Sequence, residues 1–125
     1  MHDEAEYYRS ILDNLTGGFL SVDLEGRLVY ANAMAGRILR VPILDKLQGQ
    51  PYTQTLASFP ALCRVIAEAL EKHLTVHRAE FTIQHADTPL IIGYSSLSVK
   101  NRKNEHLGVG IIFQDLTAVA AKKRA

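Results

Sequence analysis

Apolar and polar positions along the chain change period several times, and each change marks an element. Across residues 3–15, Tyr7, Tyr8, Ile11, Leu12 and Leu15 recur at helical spacing, with Asp3, Glu6, Arg9 and Asp13 on the remaining face. Gly17-Gly18 stops this helix. From Phe19 to Leu24 the period becomes two, Leu20, Val22 and Leu24 alternating with Phe19, Ser21 and Asp23. Glu25-Gly26 supplies a tight turn and Arg27 to Ala31 returns as a second strand, which makes a hairpin. Asn32 then offers a side-chain oxygen to the free N–H groups of a helix that starts at Ala33 and runs through Met34, Ile38 and Leu39.

Pro42 ends that helix or begins the next, Gly49-Gln50-Pro51 is a loop, and residues 44–57 carry only short helical turns. Ser58 reads as the N-cap of a longer helix, with Pro60 tolerated in its first turn. Leu62, Val65, Ile66, Ala69 and Leu70 form its apolar stripe as far as about His73, while Arg64, Glu68, Glu71 and Lys72 face water. The remainder reads as three strands. Ala79 to His85 alternates, with Phe81 and Ile83 on one side, and Leu90 to Val99 follows an Asp87-Thr88-Pro89 turn. After the charged loop Asn101 to Glu105, Leu107 to Gln114 places Leu107, Val109, Ile111 and Phe113 on one face, and Gly108 and Gly110 on the other allow something to lie close. A helix begins again near Leu116. A hairpin, a helical block and a three-strand meander imply an antiparallel sheet with helices on one face, an α+β architecture.

Composition narrows the function classes. A chain of 125 residues is one domain with room for a core. Fourteen Lys+Arg against thirteen Asp+Glu leave a net charge of +1, which gives no basic footprint for nucleic acid. The basic run Lys122-Lys123-Arg124 reads as a solvated tail. The single cysteine, Cys63, forms no intrachain disulfide and fits a reducing compartment. Residues 1–6 are too polar for a signal peptide, and no apolar run approaches the roughly 18–20 residues of a membrane span. The expectation is a cytoplasmic domain with no direct membrane insertion.

The order of elements and several local motifs resemble the PAS domain, particularly those that precede the kinase core of bacterial sensor histidine kinases. The residues that carry the resemblance are Ile11-Leu12-Asp13-Asn14-Leu15 leading into Gly18-Phe19, Val22-Asp23-Leu24-Glu25-Gly26-Arg27, and Tyr30-Ala31-Asn32. Leu47-Gln48-Gly49-Gln50-Pro51, Leu107-Gly108 and Phe113-Gln114-Asp115-Leu116-Thr117 continue it, so that it spans residues 7–117 in order. It implies a five-stranded antiparallel sheet in the order 2-1-5-4-3, cupped around a ligand cavity. On that frame residues 1–16 are an amphipathic dimerisation helix, 17–117 the PAS domain and 118–125 the start of an output helix. The implied function is a sensory and dimerisation module of a larger bacterial signalling protein, with a histidine kinase effector in the same chain. A transcriptional regulator, a cyclic-dinucleotide enzyme or a haem-binding sensor is the alternative.

The cavity is expected between the sheet and the helices at 33–40 and 59–73. Leu20, Val22, Leu28, Tyr30, Ile38, Leu62, Ile66, Val109 and Ile111 would line it, with Tyr30, Cys63, Tyr94 and Ser96 as the polar candidates. So apolar a lining predicts no tightly held cofactor and leaves room for a small apolar ligand. Cys63-Arg64 resembles part of the cysteine box of flavin-binding light sensors, but it falls too late in the chain and lacks that box's other residues. Only His73 comes near the place of a haem ligand. No His, Cys, Asp and Glu recur at metal-ligand spacing, and no catalytic group has a partner, so neither a metal nor an enzyme activity is expected.

Two features carry the functional reading. The stripe Tyr7, Tyr8, Ile11, Leu12 and Leu15 either packs on its own sheet or crosses the same helix of a second copy, and its width favours a homodimer. Asp115 and Thr117 suit the first turn of the output helix. Asp115 is expected beside residues 16–18, its carboxylate held by backbone N–H groups there.

Overall fold

The computed structural model describes residue 6, residues 17–85 and residues 88–117. The two flanking helices expected at residues 1–16 and 118–125 lie outside the described residues, Glu6 excepted, as does Asp87 of the expected turn.

Five antiparallel strands form one sheet: β1 (Gly18–Asp23), β2 (Leu28–Ala31), β3 (Ala79–His85), β4 (Thr88–Lys100) and β5 (His106–Asp115), in the order β2-β1-β5-β4-β3. Between β2 and β3 run α1 (Ala33–Leu39), a 3-10 turn (Leu44–Lys46), α2 (Tyr52–Thr55) and α3 (Pro60–Lys72). The order is the one that the resemblance implied. β1 and β5 pair at the centre of the sheet, Leu20 opposite Ile111 and Val22 opposite Val109.

The β1–β2 turn is organised by Asp23, whose Oδ1 accepts from the backbone N–H of Glu25 and of Arg27, each at 2.9 Å. Past the turn the register slips: Ser21 pairs with Tyr30 but Val22 pairs with Leu28, so Val29 is an extra residue and a β-bulge. The bulge inverts the phase of β2. Leu28 and Ala31 face the core, Val29 is exposed, and Tyr30 turns to the opposite side of the sheet. The expectation that Leu28 and Tyr30 share a face fails for this reason. Gly49–Tyr52 then runs along the free edge of β2. Leu28 N donates to Gln50 O (2.9 Å), Gly49 N to Leu28 O (2.8 Å) and Tyr52 N to Gly26 O (2.8 Å), which covers an edge that would otherwise invite pairing.

Asn32 caps α1 as expected, its Oδ1 accepting from Ala35 N at 2.9 Å. The helix ends at Arg40, in left-handed conformation, two residues before Pro42. α3 starts differently from the expectation. Its N-cap is Phe59, which makes no side-chain capping bond, and Ser58 is exposed outside the helix. Phe59 is buried in the core, so apolar anchoring sets the helix start rather than a polar cap. Pro60 occupies the first turn, where its missing N–H costs nothing. Leu62, Ile66 and Ala69 on one side of α3 are buried, and fully burying each of the two larger side chains contributes about 1.5–3 kcal/mol.

Candidate functional site

Leu20, Val22, Leu28, Ile38, Leu62, Ile66, Val109 and Ile111, the apolar residues expected around a cavity, all belong to one buried cluster between the sheet and the helices. The polar candidates have been drawn into other work. Tyr30 stands on the outer face, its ring 6.2 Å from that of Phe19. The Cys63 thiol donates to Leu56 O at 3.2 Å, and burial pushes its pKa up, which keeps it a thiol rather than a nucleophile. The Tyr94 ring packs 5.1 Å from that of Phe81, and burial, then the charge of Glu68, raises the pKa of its phenol. Ser96 N donates to Val76 O (2.9 Å) while Ser96 Oγ accepts from Val76 N (2.8 Å). One residue before Leu56, Thr55 Oγ1 is buried with no hydrogen-bond partner.

Gly108 and Gly110 do not open the outer face to a visitor. A Cβ at Gly110 would meet the Leu97 and Phe19 side chains, so the close neighbours come from the sheet itself.

The end of β5 holds the most specific polar arrangement. Leu116 N donates to Ile91 O at 2.7 Å, and Ile91 N donates to Thr117 Oγ1 at 3.0 Å. Thr117 N donates to Asp115 Oδ1 at 2.9 Å, and the Thr117 hydroxyl donates to the same oxygen. The hydroxyl is thus both donor and acceptor, joining the Asp115 carboxylate to the backbone of β4. This corrects the expectation for Asp115. β5 does run beside the start of β1, Phe113 opposite Gly18, but the carboxylate turns forward to Thr117 instead of back to Gly17 and Gly18, and residue 16 lies outside the described residues. Leu116 lies over Gly93 of β4, where a Cβ would come within 2.6 Å of Leu116 Cδ1. Beside it on the outer face is an open cleft of about 370 Å³, lined in part by Arg78, Glu80, Ser95, Ile112 and Gln114.

Nothing in the local sequence pointed to Ile91 as the partner of Thr117, since the two are 26 positions apart. Ser95 was missed in the same way; its Oγ accepts from Arg78 N at 3.0 Å. Among the described residues no group of three or more His, Cys, Asp or Glu could hold a metal ion, and no helix is long and apolar enough to cross a membrane.

The sequence matches the PAS fold family over residues 6–116. No curated protein matches it. Among solved structures, the PAS domain of Bordetella pertussis BvgS is 20% identical with a TM-score of 0.72, covering 98% of this chain and 93% of that one. A Vibrio cholerae VqmA complex with ligand and DNA is 18% identical with a TM-score of 0.70, covering 92% of this chain and 52% of that one. A sensory box sensor histidine kinase from Vibrio cholerae is 14% identical with a TM-score of 0.58, covering 91% and 92%. At these identities the likeness is one of fold, and the chain spans about half the length of VqmA.

Proposed function

The chain belongs to the PAS family, and on that premise we propose that it is the sensory and dimerisation module of a larger, cytoplasmic bacterial signalling protein, relaying ligand or partner state to a histidine kinase effector in the same chain. The observation that carries this reading is the fastening of Asp115-Leu116-Thr117 to Ile91. A relay needs a contact through which movement of the sheet biases the direction of the departing chain. Here the departing chain is bonded to β4 as well as to the end of its own strand, so a shift of β4 against β5 moves it. In the intact protein Thr117→Val should change effector output, and unchanged output would reduce the contact to a turn. A transcriptional regulator is the second reading, supported by the fold of VqmA, a protein solved with ligand and DNA.

The homodimer is assigned to Tyr7, Tyr8, Ile11, Leu12 and Leu15 of two copies, related by a two-fold axis. Sedimentation of the chain should give a dimer, and Ile11→Asp with Leu15→Asp should convert it to monomer. A wild-type monomer, or a dimer that survives the double substitution, contradicts the assignment.

No tightly held cofactor is proposed, and a small apolar ligand is compatible with the buried cluster. The protein purified from its host should show no visible absorption band and, by native mass spectrometry, the 13.9 kDa of the chain alone or with a small apolar adduct. A haem or flavin band overturns this.

A further inference from the structure

His73 and His106 come from elements far apart in sequence and meet face to face. His73 ends α3 in left-handed conformation, with φ at 54°. His106 opens β5, opposite Lys100 of β4. Their rings stack at a centroid distance of 4.1 Å and an interplanar angle of 28°. After His73 the connector to β3 is held against β4 by the bonds of Val76 to Ser96 and of Arg78 to Ser95. The ring stack is therefore the first of a row of contacts that keep the end of α3 and this connector on the β4–β5 hairpin.

The surroundings favour positive charge poorly. Lys72 and Glu71 lie on the last turn of α3, and Lys100 faces His106 across β4. The hairpin turn adds Arg102, Lys103 and Glu105, and the Glu105 carboxylate accepts from Asn101 Nδ2 at 3.1 Å. His77 follows in the connector. Lysines and arginines outnumber carboxylates in this set.

We propose that the His73–His106 stack is a proton-operated clasp, closed while the His106 ring is neutral and opened when that ring takes a proton, releasing the start of the connector from the hairpin. Partial desolvation, then the charges of His73 and Lys100, hold the pKa of His106 below its ordinary 6.5. A lowered value means that the open state takes the proton more readily. The stabilisation is intact above 6.5 and is lost as pH falls through the lowered value. The clasp stands whatever effector the chain serves.

Amide exchange of Val76 and Arg78, corrected for the intrinsic pH dependence, reads the clasp directly. Between about pH 7.5 and about pH 5 the corrected opening should rise, in the direction that a lowered folded-state pKa requires. His106→Phe keeps a stacking ring that binds no proton and should stay protected at both pH values. His106→Asn removes the ring and should be open at both. Equal acid opening in the wild type and His106→Phe, no acid opening in the wild type, or full protection in His106→Asn overturns the proposal.

Discussion

Asn32→Ala should destabilise the domain by about 3 kcal/mol, which for a chain of this size lowers the melting temperature by roughly 10 °C. Asn32 is wholly buried and works in two directions. Its Oδ1 accepts from Ala35 N in the first turn of α1 and from Phe19 N in β1 at 3.0 Å, while its Nδ2 donates to Gly17 O at 3.2 Å. The backbone adds Asn32 N to Phe19 O at 2.9 Å. Alanine removes the cap, worth about 1 kcal/mol, and leaves the part-buried Phe19 N–H and the buried Gly17 carbonyl short of partners. Against a total stability of about 5–15 kcal/mol that is a large share. Asn32→Asp separates the two roles, since the carboxylate still accepts but no longer donates to Gly17 and brings a charge into the core. Thermal denaturation should place it no higher than the alanine variant. A loss for Asn32→Ala no greater than that of an exposed cap would show that the cross-link to β1 contributes nothing.

Gly108→Ala should be at least as damaging, at about 3 kcal/mol or more, and should deplete the soluble folded protein. The added Cβ would stand 2.0 Å from Val22 O and 3.1 Å from Asp23 Cα. Both are backbone atoms of the paired strand, so no side-chain rotation relieves the overlap. β1 and β5 would have to separate next to Val22 and Val109, which are buried at 2% and 3% exposure in the centre of the sheet. Gly49→Ala is the control, because no atom lies within 4 Å of its Cβ position, although its φ of +86° adds backbone strain of its own. Chemical denaturation should rank Gly108→Ala well below Gly49→Ala. Equal losses would mean that the strands accommodate the methyl group.

Legibility in the sequence followed the range of the interaction. Asn32 as a cap and the alternation of β1 are local, and both were readable from residues a few positions apart. The strand order came from the resemblance to PAS domains; periodicity alone gave only an antiparallel sheet with helices on one face. The bulge at Val29 was invisible because Leu28, Val29 and Tyr30 all suit a strand, so a slipped phase leaves no polar residue out of place. Ser58 has the chemistry of a cap, whereas the burial of Phe59 that sets the helix start depends on the assembled core. At the candidate site, Asp115 and Thr117 stand out by motif and their mutual bond is local, but the tie of Thr117 to Ile91 appears only when β4 and β5 pair. Ser96, grouped with a cavity, turned out to hold the connector at Val76 for the same reason.

On the proposed function, the contact of Asp115 and Thr117 with β4 carries movement of the sheet to the chain that follows, rather than merely ending the strand. Thr117→Val keeps the shape of the side chain and removes the hydroxyl that joins Asp115 to Ile91, at a cost of about 1 kcal/mol. Gly49→Ala costs a similar amount, roughly 1–2 kcal/mol, through its φ of +86°, in an exposed loop remote from that contact. Thr117→Ser retains the hydroxyl. Effector output of the intact protein, measured with and without stimulus for all three variants, is the most direct test. Thr117→Val should shift the output while Gly49→Ala and Thr117→Ser leave it at the wild-type level; equal shifts in Thr117→Val and Gly49→Ala, or no shift in Thr117→Val, would contradict that reading.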